Sequence, residues 1–322
     1  MKVSIIIPTY NRKQLLYETL QTIFSQTLEP YEIIVVDDHS TDNTVDYLKK
    51  IFGKSIIITK SKNKGPGGAR NTGIEIATGD YIKFFDSDDL MTNNALLEQV
   101  RALESSGKGF VYHPYFQGLK TNEGWSVPDN TIINYYPFPR RKGLTEWMML
   151  GYFINLNAVL FRKEVIQEVG LWREDIYAYE DWEYLWRVSL LESDPAHTQA
   201  CAFLYRIHGD QITVHQSHNL KRDQEKITML NDIFTKYYPE QISTLNHLFF
   251  INMYYQTMRM HESREETFFI TPNINKTLHE VVWNYIRLRK KYGRISTGTK
   301  WQPEHGPLIN TKILKMYIDL LP

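Results

Sequence analysis

The chain has 322 residues, 42% of them hydrophobic and 23% charged, a composition that excludes general disorder and suffices for one large α/β domain with an appendage or for two ordinary domains. Lys+Arg and Asp+Glu balance at 37 each, so the cationic excess that draws a protein to nucleic acid is missing and no nucleic-acid partner is expected. The single cysteine, Cys201, closes no intrachain disulfide and excludes both a cysteine-rich zinc site and a disulfide scaffold; it reads as an inert buried thiol. The apolar start is too short for a signal peptide and no window holds 18 apolar residues, so the expected address is the cytoplasm.

Residues 3–8 read as a buried strand, and Leu16, Leu20, Ile23 and Phe24 follow at helical spacing, with Asn11 as N-cap and Gln14 completing a capping box. Residues 32–37 are the second strand, ahead of a helix that carries Val45, Leu48 and Ile51 and is capped by Ser40 or Thr41. Residues 55–60 are the third strand, and 67–77 a helix despite its glycines, with Ala69, Gly73 and Ile76 toward the sheet. Residues 81–86 form a fourth strand, 95–103 a helix and 110–115 a fifth strand. This β-α-β-α order predicts a mostly parallel, doubly wound, Rossmann-like sheet flanked by helices, with right-handed crossovers.

From about residue 116 to 145 prolines and aromatics dominate, as in Tyr135-Tyr136-Pro137-Phe138-Pro139, and a long irregular loop is expected. Regularity returns with a strand at 158–161, helices near 163–168 and 180–191, and a strand near 201–207. Leu185, Val188 and Leu191 are expected on the inner face of the 180–191 helix; Trp182 and Trp186, four apart, share a face that more often packs than stacks on a ligand, and packing is favoured for Trp186. Trp172 suits either packing or stacking on a bound ligand. Beyond residue 217 the pattern is mainly helical, which divides the chain into 1–217 and 218–322.

Every chemically unusual segment of the first half follows a predicted strand: Pro8-Thr9-Tyr10-Asn11-Arg12, Asp37-Asp38-His39-Ser40, the 63–71 run NKGPGGARN, and Asp86-Ser87-Asp88-Asp89. In an open parallel sheet these carboxyl ends share one rim, where ligands bind. Adjacent carboxylates repel one another, and a divalent cation with substrate phosphates relieves the repulsion; a solvated turn with a helix cap is the bland alternative. The glycines at 65, 67 and 68 would let the backbone approach a phosphate with Arg70 nearby, or would simply make a flexible loop with Arg70 in solvent. Glu180 and Asp181 open a helix, where acids also serve its dipole without any further role. His208 by itself reads equally as a surface histidine.

The runs VSIIIPTYNR, IIVVDDHSTD and NKGPGGARNTGIEIATGDYIKFFDSDD, then Gly170-Leu171-Trp172, the 179–183 run YEDWE and Tyr205-Arg206-Ile207-His208, resemble the inverting family 2 glycosyltransferases of GT-A fold. The likeness extends over about residues 1–215. It implies a metal-dependent, inverting transfer of a sugar from a nucleotide sugar, UDP-linked, to a hydroxyl of a glycan, lipid-linked or protein acceptor, in bacterial-type surface polysaccharide or glycoconjugate synthesis. It further implies that Pro8, Thr9 and Tyr10 line the base and ribose and that Asp38 accepts a hydrogen bond from a uracil-like edge. Arg12, Asn63, Gly67, Arg70, Asp86 and Ser87 would complete the donor side. Asp88 would ligate Mn²⁺ or Mg²⁺, with His208 as a further ligand and Arg206 on the diphosphate. Asp181 would be the catalytic base, with Glu180 beside it.

These residue types suit the reaction, because inversion needs a base on the face opposite the departing diphosphate, whose charge a metal and an arginine can neutralise. A nucleotidyltransferase would share the acids and the glycine loop but release pyrophosphate, and a non-catalytic sugar- or nucleotide-binding module would not need Asp181. In the tail, Arg287, Arg289, Lys290, Lys291, Arg294 and Lys300 interleave with Tyr285 and Tyr292. This pattern fits a solvated helix face or contact with an anionic membrane surface, which would place the chain at the inner face of the membrane. The apolar 247–260 stretch fits helical core or a homodimer face.

Overall fold

The computed structural model describes residues 1–121, 124–127, 132–138, 143–149, 152–200 and 202–209, together with helical positions 225, 226, 228–230, 232, 233 and 236. In chain order the first elements are β1 (Val3–Thr9), α1 (Lys13–Phe24), β2 (Glu32–Asp37), α2 (Thr44–Phe52), β3 (Ile57–Lys60), α3 (Pro66–Ile76), β4 (Tyr81–Phe84), β5 (Leu90–Met91), α4 (Ala95–Ser106) and β6 (Phe110–Tyr112). They are followed by β7 (Tyr115–Thr121), β8 (Gly124–Ser126), β9 (Ile132–Ile133), α5 (Leu144–Met149), β10 (Val159–Arg162), α6 (Lys163–Val169), α7 (Glu180–Leu191), β11 (Ala196–His197) and β12 (Phe203–Ile207).

Seven strands form the main sheet in the order β11-β6-β10-β4-β1-β2-β3. All its pairings are parallel except those of β10, which runs antiparallel to β4 and β6. Both faces are covered, so β1 and β2 read as unbroken apolar runs whose side chains alternate between two cores. Val3, Ile5, Ile7, Ile33 and Val35 join Leu16 and Leu20 of α1 on one face. Ile6, Ile34, Val36 and Phe84 join Ala69 of α3 and the aromatics of α7 on the other. Among the described residues no helix is long and apolar enough to cross a membrane.

The stretch expected to be a long loop instead builds a second, five-stranded sheet, in which β12 pairs with β5 and β7, and β7 with β8 and β9. β12 lies far along the chain from its partners β5 and β7, and β8 and β9 are only three and two residues long, so no local periodicity announces them. The predicted fifth strand ends at Tyr112, and Tyr115 already belongs to this second sheet.

Helix starts also differ from expectation. Asn11 has φ 50° and accepts a hydrogen bond from Thr41 N–H at 2.7 Å, tying two rim loops together, and α1 begins after Arg12. For α2 it is Asp42, not Ser40 or Thr41, whose Oδ1 accepts from Thr44 N–H at 3.1 Å. Phe24, Ile76 and Leu191, expected inward, sit at helix ends and are exposed; Phe24 stacks on Phe52 with ring centroids 5.3 Å apart.

Gly73 marks the closest approach of α3 to the sheet, since a Cβ there would overlap Cγ2 of the fully buried Ile6. Gly73→Ala gains about 1 kcal/mol of helix propensity but overpacks a stiff β-branched neighbour at a cost of about 1–3 kcal/mol. A lowered Tm in thermal unfolding is expected; a raised one would mean that Ile6 can move aside.

Cys201, the 247–260 stretch, the basic 287–300 segment and the division after residue 217 lie outside the described residues.

Candidate active site

The four loops do meet at the carboxyl edge of the parallel strands. Asp38 N–H donates to Thr9 O at 2.7 Å, and Gly65 N–H donates to Asp38 Oδ2 at 2.9 Å, which sews the first, second and third loops together. Arg12 Nε lies 3.8 Å from Asp88 Oδ2, which links the first loop to the fourth. Around this edge Tyr10 is exposed, Pro8 is half-buried, and Thr9 is buried with its hydroxyl unpaired among the described residues. A polar rim of this kind, at the switch in strand order between β1 and β4, is where open α/β sheets bind nucleotides.

The DSDD acids do not share one environment. Asp88 Oδ2 lies 3.2 Å from His208 Nε2, so a carboxylate and an imidazole stand side by side. Burial pushes the Asp88 carboxyl up, but the His208 hydrogen bond and the nearby Arg12 and Arg206 outweigh it and hold it below its ordinary value. Asp86 turns away, to Arg70 Nη2 at 3.2 Å and to Asn157 Nδ2 at 3.1 Å. Burial, then the charges of Asp88 and Asp181, push the Asp86 carboxyl up against the pull of Arg70 and Asn157. Asp89 is buried beneath the loop, where Asn157 Nδ2 donates to it at 2.6 Å and Arg206 N–H at 2.9 Å. Burial and its two acid neighbours drive its carboxyl well up. Ser87 is buried and contributes its carbonyl to Thr19 Oγ1 at 3.1 Å.

Asn157 is the residue sequence reasoning missed. Fully buried after β9 and α5, it accepts Asp86 N–H at 2.9 Å as well as bridging the two acids. An asparagine ahead of an apolar strand carries no signal of its own; only the antiparallel pairing of β10 with β4 brings it here.

Arg206 does not face the rim as a diphosphate ligand would. It is 3% exposed, and its guanidinium donates to Glu18 Oε2 at 2.7 Å, Leu15 O at 2.8 Å, Thr19 Oγ1 at 2.9 Å and the carbonyl of Asp88. Its position clamps the acidic loop onto α1.

On the opposite wall, α7 presents Glu180 and Asp181 in its first turn. Asp181 Oδ1 accepts from Trp182 N–H at 2.7 Å. Arg70 joins the two walls, with Nη1 3.1 Å from Glu180 Oε1 and Nη2 3.2 Å from Asp86 Oδ1. The guanidinium lies 4.6 Å from the Trp172 ring, which itself stacks on Tyr184 at 3.9 Å. Trp172 and Trp186 are thus packing residues, both nearly or fully buried, and Trp182 lies 8% exposed beside Trp186.

Burial, reinforced by Asp181, raises Glu180 from 4.5 to about 7 despite the pull of Arg70. Between those values the folded protein keeps a proton that the unfolded chain has released, so this group's contribution to stability falls as pH rises through that window. Glu180→Gln is therefore expected to gain Tm relative to the parent between about pH 5 and 7. A Tm difference that stays constant across that range contradicts the raised carboxyl.

The glycines serve the protein's own backbone. A Cβ on Gly67 would overlap the carbonyl oxygen of Arg173, one on Gly68 would strike Asn63 O, and Gly65, at φ 99°, sits under the Tyr177 ring. Asn63 Nδ2 donates to Glu174 Oε2 at 2.7 Å. The loop ahead of α7 is thereby seated on the glycine turn, a long-range contact that leaves no room for side chains at Gly67 and Gly68.

The model of the family described as "Glycosyl transferase family 2" matches residues 4–170, just over half of the chain. Over 115 residues the chain is 43% identical to the UDP-Glc:alpha-D-GlcNAc-diphosphoundecaprenol beta-1,3-glucosyltransferase WfaP of Escherichia coli, a match covering 35% of this chain and 46% of that protein. The matches span less than half the length of the first curated relatives. Among solved structures, S. aureus TarS 1-349 in complex with UDP-GlcNAc is similar at TM-score 0.56 and 17% identity, over 96% of this chain and all of that one. The mannosyltransferase PcManGT from Pyrobaculum calidifontis, in complex with GDP-Man and Mn2+, is similar at TM-score 0.53 and 15% identity, over 99% of this chain and 84% of that one. These likenesses show the GT-A fold, and the matched family model shows that the chain belongs to glycosyl transferase family 2.

Proposed function

We propose that the chain is a metal-dependent, inverting glycosyltransferase that moves a sugar from a UDP-sugar to an acceptor hydroxyl. One observation carries this reading. A single buried guanidinium, that of Arg70, lies between an acid of the fourth loop and an acid of α7, so the two carboxylate groups flank one cation. Inversion requires two such groups, one serving the leaving group and the other the nucleophile.

Asp181 is the base. It takes the proton of the acceptor hydroxyl as the hydroxyl oxygen bonds to the anomeric carbon and the bond from that carbon to the diphosphate breaks, with UDP departing. Glu180, held by Arg70, keeps α7 in register beside the donor wall. Tyr10, Pro8, Thr9 and Asp38 support the nucleoside, and Arg12 faces the diphosphate from beside Asp88. Asn63, Gly67 and Ser87 shape the donor loops, and Arg206 holds the acidic loop in place.

The donor set fits a hard or borderline divalent ion. Asp88 and His208 offer one carboxylate and one imidazole in contact, and no group of three acid, histidine or cysteine donors occurs among the described residues. Mg²⁺ and Mn²⁺ bind in this manner, through one or two protein ligands completed by substrate phosphates. Asp88 and His208 would hold it, and the bound ion would neutralise charge developing on the diphosphate. The Mn2+ named with the mannosyltransferase supports this choice. The UDP-sugars named with the two other relatives support the donor.

For the acceptor we propose a sugar carried on a lipid diphosphate, in bacterial surface polysaccharide synthesis at the inner membrane face, a choice supported by the first relative's name. The test is incubation of the chain with UDP-glucose and UDP-GlcNAc in Mn²⁺. Release of UDP is expected; release of pyrophosphate would instead indicate nucleotidyl transfer.

A further inference from the structure

The described helical positions 225, 226, 228–230, 232 and 233 pack onto the preceding domain. Met229, Leu230 and Ile233 are buried in the cluster that holds Trp172 and Trp182.

The polar positions meet the loop ahead of α7 at three points. Glu225 Oε2 accepts Tyr177 N–H at 3.1 Å and Ala178 N–H at 2.9 Å. Asp232 Oδ2 lies 2.7 Å from Arg173 Nη2. Lys226 Nζ lies 5.3 Å from the centre of the Tyr179 ring. Tyr177 and Ala178 stand four and three residues before Asp181. Between them and Asp181, Tyr179 enters α7 at φ 72° with no side-chain cap of its own. A non-glycine residue in that region costs free energy and persists where its surroundings over-determine it. A carboxylate that accepts two amide hydrogens supplies such a constraint. The loop's far side rests on the donor wall through Glu174 and Tyr177.

We propose that Glu225 is a positioning residue of the transfer reaction. It fixes the 173–179 loop so that Asp181 stands over the donor cleft, and it makes turnover depend on a helix that follows the matched family region. This rests on Asp181 being the base.

The test uses the full chain with Glu225→Ala, Glu225→Gln and, separately, Asp181→Asn. Three quantities are read: kcat for UDP-sugar consumption in Mn²⁺, calorimetric UDP affinity, and amide exchange across Tyr177–Asp181. Glu225→Ala is expected to lower kcat about tenfold or more, as a misplaced base should, with UDP affinity changed less than about twofold and faster exchange at Tyr177 and Ala178. Glu225→Gln, which keeps an acceptor oxygen, should restore most of the kcat. A purely structural contact would lower Tm and leave kcat of the folded enzyme alone, and that result overturns the proposal. So does unchanged exchange, or a glutamine variant no better than alanine. Asp181→Asn reports on the base by itself: a damaged Asp181→Asn beside a normal Glu225→Ala sinks the latch only, whereas a normal Asp181→Asn sinks the base assignment.

Discussion

Replacing Asp181 by asparagine is expected to lower kcat by about 10²–10⁴, the range for a lost general base, while leaving UDP binding in Mn²⁺ and the thermal midpoint close to those of the parent. The substitution is nearly isosteric. An amide oxygen can still accept the Trp182 N–H that Asp181 Oδ1 accepts at 2.7 Å, so the start of α7 keeps its hydrogen bond. What disappears is the capacity to take a proton. A second consequence follows from the raised carboxyl next door. Asp181 is among the charges that hold Glu180 up near 7, so removing it should let Glu180 ionise at lower pH. Single-turnover kinetics with UDP calorimetry separates the outcomes, and near-normal turnover would take Asp181 out of the mechanism.

Asp88→Ala should abolish the Mn²⁺-dependent part of UDP affinity and lower turnover by about 10²-fold or more, since the variant loses electrostatic stabilisation of the leaving group. The loop itself should survive. Arg206 holds the carbonyl of Asp88 and donates its backbone N–H to Asp89, and neither contact involves the Asp88 side chain. The variant therefore removes a ligand without releasing the backbone that carries it. His208 and Arg12 remain, but an imidazole and a guanidinium do not replace an anionic oxygen donor for Mn²⁺ or Mg²⁺. Calorimetry of UDP with and without Mn²⁺ checks this. Equal metal-dependent affinity in parent and variant would remove Asp88 from the ion, and chelation of the parent enzyme should mimic the variant.

The convergence of the loops was legible because it follows from strand order. Residues 3–8, 32–37, 55–60 and 81–86 are short apolar runs, each followed by polar residues, and parallel pairing necessarily brings those ends to one edge. The second sheet was not legible. Residues 204–207 pair with 116–119, far apart along the chain, and pairing at that range leaves no periodic trace in either segment.

Within the site, residue type identified the acids but not their division of labour. Asp86, Asp88 and Asp89 are neighbours in sequence, yet one faces Arg70, one His208 and one the buried Asn157. Their partners come from α3, the end of β12 and the approach to β10, so only the packed fold distinguishes them. The glycines illustrate the same point. Their conformational freedom was evident, but not that Arg173, Asn63 and Tyr177 would crowd them.

By itself, then, the sequence determined the layered α/β order, the rim and the kinds of side chain on it, since these depend on local patterning and on the chirality of parallel crossovers. Tertiary structure decided which carboxylate pairs with which cation, that Arg206 anchors rather than binds, and that Glu225 reaches the loop before Asp181. Those are properties of approach distances between segments remote along the chain, where burial and neighbouring charge set each group's hydrogen bonds and protonation.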